Sequence, residues 1–298
     1  MSFHGFLVID KPQGLSSHQV ISRLRKLLQF KKIGHTGTLD PLATGVLPMA
    51  LGEATKVIAY LDEAQKCYEV EAVLGTATDT YDAEGRVTEC VAVPPISDQA
   101  LQECLQSFLG KQQQLPPLYS AIKVQGKPAY AYARKGEELK LKPREVTIHH
   151  LELIASSSDS LCLRVQCSRG TYVRSLIHDL GLRLGTRAHI SKLRRLQSGT
   201  FNLTQAVTLE EVEALGVELP KKILSIERCL GHLESFPLGA ESDLIQVKNG
   251  VILPKIIEYF QNIKDIHKIF TLSYEEKVRA LMRLEEGTLS YLRVLQPY

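Results

Sequence analysis

The stretch from Tyr68 to Leu74 sets the first constraint on this chain. Tyr68, Val70, Ala72 and Leu74 alternate with Glu69 and Glu71, a two-residue period that gives a strand with one dry and one wet face. Leu161, Leu163, Val165 and Cys167 repeat the pattern. Directly after them, Val173, Leu176, Ile177, Leu180 and Leu184 share one face of a predicted helix. Nearer the start, Gly5–Asp10 reads as a short buried strand ended by a Lys-Pro break. Ser16 or Ser17 then caps a helix whose apolar stripe is Val20, Ile21, Leu24, Leu27 and Leu28. Ile33–Gly45 is expected as an irregular loop, Glu53–Glu63 as a short helix, and Asp98–Leu109 as a helix capped by Ser97. This order of strands, helices and loops suits an α+β domain with a mixed sheet better than a regular βαβ array.

The 298 residues, at roughly 100–200 per domain, imply two domains or one with an appendage. A boundary is expected near Gly231–Gly239, where Pro237 and Gly239 punctuate the chain. Past it, Val278–Leu284 and Thr288–Leu295 read as a hairpin joined at Glu285–Gly287. Lys111–Gly126 is rich in Gln and Pro, and with the basic, tyrosine-bearing Lys127–Arg144 it reads as an excursion from the core. No apolar run reaches the roughly 18 residues of a membrane span. The opening MSFHGFLVID lacks the basic region of a signal peptide, so a cytoplasmic location is expected. The six cysteines are dispersed and read as structural or incidental thiols.

A net charge of +3 does not by itself mark a nucleic-acid binder. Its distribution is more informative. Basic residues gather at Arg23, Arg25, Lys26, Lys31 and Lys32, between Lys123 and Arg144, and at Arg183, Arg187, Lys192, Arg194 and Arg195. Such concentration is what phosphate contacts need, although a solvated face would look the same.

Four segments combine turn residues with reactive side chains: Asp10–Ser17, Gly34–Gly45, Lys66–Tyr68 and Ser168–Arg174. In the second, Asp40 sits on a glycine-rich loop with His35. There it reads equally as a nucleophile or base, or as a helix N-cap with Pro41 in the first turn. Arg174 falls near the start of a helix, where the dipole disfavours a cation, so a carboxylate or phosphate partner is expected. The sequence has no phosphate-binding G-x-x-x-x-G-K-[ST] loop, no G-x-G-x-x-G fingerprint and no H-E-x-x-H. The usual hardware for nucleotide hydrolysis, hydride transfer and zinc chemistry is therefore lacking.

Together these segments resemble the bacterial tRNA pseudouridine synthase B (TruB) family, in consistent order from Gly5 to Gly199. The most specific piece is Gly34-His35-Thr36-Gly37-Thr38-Leu39-Asp40-Pro41-Leu42-Ala43-Thr44-Gly45. Asp10-Lys11-Pro12, Thr78-Asp79-Thr80 with Asp82 and Gly85, Gly170–Arg174 and Leu193-Arg194-Arg195 support it. The resemblance implies a pseudouridine synthase fold: a central mixed, largely antiparallel sheet flanked by helices and loops, with a small C-terminal PUA-like domain. It implies a catalytic domain over 1–232, with an RNA-clamping insertion at about 111–144, and a divergent RNA-binding domain over 233–298. It also implies isomerisation of one uridine in the T-loop of tRNA. Asp40 is then the nucleophile, Tyr68 stacks on the flipped base, and Arg174 pairs with Asp40. His35, Tyr172 and Leu193 contact the substrate or line its pocket. Lys11 is grouped with them, with a scaffold role as its alternative.

That reaction oxidises nothing and adds no group, so no cofactor, metal or nucleotide is expected. The partner is the T-arm of tRNA, membranes are not involved, and the protein is expected as a monomer. Within the C-terminal part, Gly239–Leu253 and Ile269–Leu295 resemble the helix and last strands of a PUA domain, while Pro254–Lys268 is an unfamiliar helix-like insertion. A rival reading is a tRNA folding factor with secondary or no catalysis. The joint presence of Asp40, Tyr68 and Arg174 argues against it.

Overall fold

The computed structural model describes residues 3–62, 64–133, 135–137, 139–260 and 267–296. Outside the described residues lie Arg134 and Glu138 of the basic stretch, Glu63 at the end of the expected Glu53–Glu63 helix, and 261–266 of the Pro254–Lys268 insertion.

In chain order the first elements are β1 (Gly5–Lys11), α1 (Ser17–Leu28), β2 (Ile33–His35), β3 (Thr44–Leu51), β4 (Gln65–Leu74), β5 (Thr76–Thr78) and β6 (Val87–Cys90). Next come α2 (Asp98–Gln106), β7 (Gly110–Gln114), a small hairpin of β8 (Lys123–Val124) and β9 (Lys127–Pro128), and α3 (Ala129–Ala133). They are followed by β10 (Arg144–Ser156), β11 (Ser160–Ser168), α4 (Val173–Arg183), β12 (Ala188–Ser198), β13 (Phe201–Asn202), α5 (Leu209–Leu215) and α6 (Ile226–Cys229). The remainder is β14 (Glu234–Pro237), α7 (Glu241–Lys248), α8 (Pro254–Phe260), β15 (His267–Tyr274), β16 (Lys277–Glu285) and β17 (Thr288–Val294).

The main sheet runs β1-β3-β12-β4-β11-β10-β7, with β2 on β3 and β13 on β12. Among the described residues, β3 and β12 pair in parallel and its other joints are antiparallel. This is the mixed, largely antiparallel sheet expected. On β4 the alternation works as read: Tyr68, Val70, Ala72 and Leu74 are buried. Glu69 and Glu71 turn outward to ion pairs with Arg164 and Lys192.

Strands β1 and β3 are continuous apolar runs because both of their faces are covered. Leu7, Ile9, Leu47 and Met49 join a core with Val20 and Leu24 of α1 and Leu176 and Ile177 of α4. Phe6, Val8, Val46 and Ala50 join a second core with Ile226, Val278, Leu281 and Leu295. The C-terminal sheet, ordered β14-β15-β16-β17, thus shares a core with the main one. Polar contacts reinforce the seam. The Glu53 carboxylate receives Lys32 Nζ at 2.6 Å, Lys56 Nζ at 2.7 Å and the Gln296 N–H at 2.8 Å.

Several local expectations change. The Glu53–Glu63 segment forms two 3-10 turns, Gly52–Lys56 and Ile58–Tyr60, instead of one α-helix. Its β-branched Thr55, Val57 and Ile58 lose side-chain freedom in an α-helix, which disfavours that form. Ile33–Gly45 is a turn between strand ends rather than loop throughout. Lys111–Gln114 belongs to β7, paired with β10, so the excursion begins after Gln114. β14 lies inside the expected boundary at Gly231–Gly239. Pro254–Phe260 is helical as read, but His267 and Lys268 open β15. The terminal hairpin is present, turning through Glu286 and Gly287 at φ of 49° and 77°. Among the described residues, no helix is long and apolar enough to cross a membrane.

Candidate active site

The Asp40 turn links β2 to β3 and is pinned on both sides. Before it, Ser17 at the start of α1 exchanges two hydrogen bonds with Leu39: Leu39 N–H donates to Ser17 Oγ at 2.8 Å, and Ser17 Oγ donates to the Leu39 carbonyl at 3.0 Å. After it, the Pro41 carbonyl accepts from Gly14 N–H at 2.8 Å and from Lys11 Nζ at 3.2 Å. No helix begins at Pro41; β3 follows instead, which removes the N-cap reading of Asp40.

Arg195 threads the same turn. Fully buried, it donates from Nε to the Val46 carbonyl at 2.7 Å, from Nη2 to Gly37 at 3.2 Å and from Nη1 to Thr38 at 3.4 Å. The parallel joint of β3 and β12 sets Gly45 opposite Arg195. Gly45 has φ of +96°, and a Cβ there would lie 2.2 Å from the Arg195 carbonyl oxygen. Only glycine accommodates both conditions.

Asp40 opens into a cavity of about 380 Å³ lined also by Tyr68, Tyr119, Tyr172, Arg174 and Leu193, a size suited to a small ligand or one nucleotide. Arg174, the second residue of α4, is 5% exposed in its side chain. Its Nε lies 2.9 Å from Asp40 Oδ2. Its Nη1 donates to the Thr80 carbonyl at 2.7 Å and lies 3.4 Å from Asp82 Oδ2, and its Nη2 donates to the Tyr119 carbonyl at 2.9 Å. The cation at the helix start therefore has the carboxylate partner expected of it, and a second, Asp82, that sequence reasoning did not assign.

Burial raises the Asp40 carboxyl above its ordinary range, Arg174 and Lys11 oppose that rise, and Asp82 adds to it. Tyr68, on β4 opposite Arg195, is pushed up to about 12 by burial against the opposing pull of Arg195, which hydrogen-bonds it. Its phenol is protonated at neutral pH. Tyr172 caps α4, and its backbone is locked by a two-way amide pair with the Gln114 side chain, at 2.8 and 3.0 Å.

Five of the predicted residues thus meet around one cavity: Asp40, Tyr68, Arg174, Tyr172 and Leu193. His35 and Lys11 are not on its wall. His35 lies at the end of β2, opposite Met49. Lys11 is fully buried, with Nζ held by the carbonyls of Pro12, Leu15 and Pro41 at 2.9, 2.6 and 3.2 Å. Burial lowers it to about 8, with Asp40 opposing that shift. An ammonium enclosed by carbonyls does not reach a phosphate, so the scaffold alternative fits this placement and the substrate contact does not.

Most of the third basic cluster is engaged in ion pairs at or near the surface. Arg187 pairs with Glu89, Lys192 with Glu71 and Arg194 with Asp10, while Arg195 is buried.

Residues 25–173 match the TruB family pseudouridylate synthase N-terminal domain, and 174–233 match the tRNA pseudouridylate synthase B C-terminal domain. A tRNA pseudouridine synthase B of Geobacter sulfurreducens is 47% identical over 239 residues, covering 80% of this chain and 79% of the relative. That of Bacillus licheniformis is 45% identical over 262 residues, covering 84% of each. Among solved structures, a Cbf5-Nop10-Gar1 complex aligns with a TM-score of 0.72 at 25% identity, over 98% of this chain and 84% of that one.

Proposed function

The chain belongs to the TruB family of pseudouridylate synthases, and on that premise we infer that it is a tRNA pseudouridine synthase acting on uridine-55 of the T-loop, with Asp40 as nucleophile. The observation that carries the residue assignment is the Asp40–Arg174 ion pair of 2.9 Å, opening into the same cavity as Tyr68.

The chemistry fits the residues. The N1–C1′ glycosidic bond breaks, uracil turns, a C5–C1′ bond forms, and C5 gives up its proton while N1 gains one. Nothing is oxidised, so the balance needs no cofactor. An ionised carboxylate holds the pieces together between cleavage and rejoining. Arg174 keeps Asp40 ionised and aimed. The target base must leave its stack, and the Tyr68 ring offers a face to receive it. Tyr172 and Leu193 shape the rest of the pocket, and His35 contacts RNA outside it. The segment after Gln114 supplies Tyr119, Ser120 and Tyr130 to the pocket wall, which supports its reading as a clamp on the T-arm.

In this reading residues 1–232 carry the reaction and 233–298 form a PUA-like unit that holds RNA. The protein acts as a monomer in the cytoplasm. The test is tritium release from tRNA carrying tritium at C5 of its uridines. Release by the native protein and none by Asp40→Asn, with tRNA binding retained, is the expected result. No release by either would favour a folding factor instead.

A further inference from the structure

The loop 78–86 grips Arg174 at two points, and those points flank a single residue. Thr80 offers its carbonyl to Nη1 at 2.7 Å, and Asp82 offers a carboxylate oxygen 3.4 Å from the same nitrogen. Tyr81 stands between them with φ of +63°. Bulky L-residues rarely adopt this left-handed conformation, and it persists only where the surroundings impose it.

The surroundings at Tyr81 are specific. Its ring stacks on the imidazole of His178, with centroids 3.9 Å apart and planes 13° from parallel. Its N–H donates to the Thr78 carbonyl at 3.2 Å, and its carbonyl accepts from Ile190 N–H on β12 at 3.1 Å. The neighbouring Ala83 N–H donates to the Ile190 carbonyl at 2.8 Å, which ties the loop to the sheet on both sides of Asp82. Asp82 is itself aimed: its Oδ1 accepts from Thr80 Oγ1 at 2.6 Å and from Glu84 N–H at 3.1 Å.

His178 lies four residues after Arg174 on α4, so the two share a helix face one turn apart. The ring that clamps the loop and the guanidinium that the loop grips are therefore carried by one rigid element. A left-handed residue at this point turns the chain sharply, so that the carbonyl before it and the side chain after it converge on one cation. An extended residue would send them to opposite sides.

We propose that Tyr81, stacked on His178, is a positioning residue: it fixes Thr80 and Asp82 on Arg174 and thereby holds the guanidinium that aims Asp40. The proposal rests on the reading of Asp40 and Arg174 given above. Tyr81 is not among the residues that line the cavity, so its effect is on turnover and not on RNA affinity.

The experiment compares single-turnover rates at saturating enzyme, and tRNA Kd, for native protein and Tyr81→Ala, Tyr81→Phe, His178→Ala, His178→Phe and Arg174→Ala. Displacing a reactive group by a fraction of an ångström to one ångström costs up to roughly a hundredfold in rate. Tyr81→Ala and His178→Ala are therefore expected to turn over about ten- to a hundredfold more slowly with Kd within about twofold of native. Tyr81→Phe and His178→Phe, which keep a ring in the stack, are expected to recover most of the rate. Native rates in both alanine variants with Arg174→Ala impaired would overturn this proposal alone. Native rates in Arg174→Ala as well would overturn the site assignment and this proposal with it. If Tyr81→Ala does not fold, the His178 pair decides: loss in the alanine variant with recovery in the phenylalanine variant supports the proposal, and equal rates in the two overturn it.

Discussion

Replacing Glu53 by glutamine should loosen the seam between the main sheet and the C-terminal strands. Its side chain is 5% exposed and receives Lys32, Lys56 and the Gln296 N–H. Burial alone would raise the carboxyl, but these donors outweigh it and hold Glu53 at about 2, against an ordinary 4.5. At about 1.4 kcal/mol per pH unit of displacement, that difference is worth about 3 kcal/mol of folding stability at neutral pH. Because the folded-state value is depressed, the contribution is complete above 4.5 and fades as the pH falls towards 2. Urea unfolding of native protein and Glu53→Gln at several pH values reads this directly. At pH 7 the variant should be less stable by about 3 kcal/mol, and the gap should narrow as both are titrated from about pH 5 towards 3. A gap under about 0.5 kcal/mol at pH 7, or one that stays constant with pH, would refute the reasoning.

Three further outcomes are expected. Arg174→Ala should slow turnover by at least roughly tenfold, about 1.4 kcal/mol, in the tritium-release assay; near-native rates would discredit the ion pair's role. Asp40 must be ionised to attack and its carboxyl is raised, so single-turnover rates should fall on acidification at a pH above its ordinary 3.8, and a rate held flat down to that value would contradict this. Gly45→Ala should lower the melting temperature and the fraction of soluble protein, since a Cβ meets the Arg195 carbonyl at 2.2 Å. Native melting would show that the β3–β12 joint yields freely.

Much of the sheet was legible because burial on one face writes a two-residue period into β4 and β11. β1 was legible as a short buried strand, whereas the apolar run of β3 was harder to read, since part of its second cover comes from β16, near the far end of the chain. That Asp40, Tyr68 and Arg174 meet at one cavity was readable from motif and from the awkward cation at the start of α4. The contacts of Asp82 and Arg195 were not, because each reaches across the fold. Asp82 meets Arg174 from a distant loop, and Arg195 lies 149 positions from the Val46 carbonyl that it holds. No local spacing records such a distance. Lys11 shows the opposite limit. Its motif marked a functional segment, yet the side chain itself serves the backbone of that segment.

The double cover of β1 and β3 also bears on how the protein is made. One face of these strands can be buried as soon as α1 and α4 are available; the other is covered in part by Phe201 and Ile226 and is completed only by β16 and Leu295. At ~5–20 residues per second, the ribosome reaches those strands on the order of fifteen seconds to a minute after releasing β1. Through that interval Phe6, Val8, Val46 and Ala50 lack their final partners. The nascent chain therefore carries an incompletely covered apolar stripe beside a turn that already contains Asp40, and the enzyme's scaffold is sealed only when those strands are synthesised.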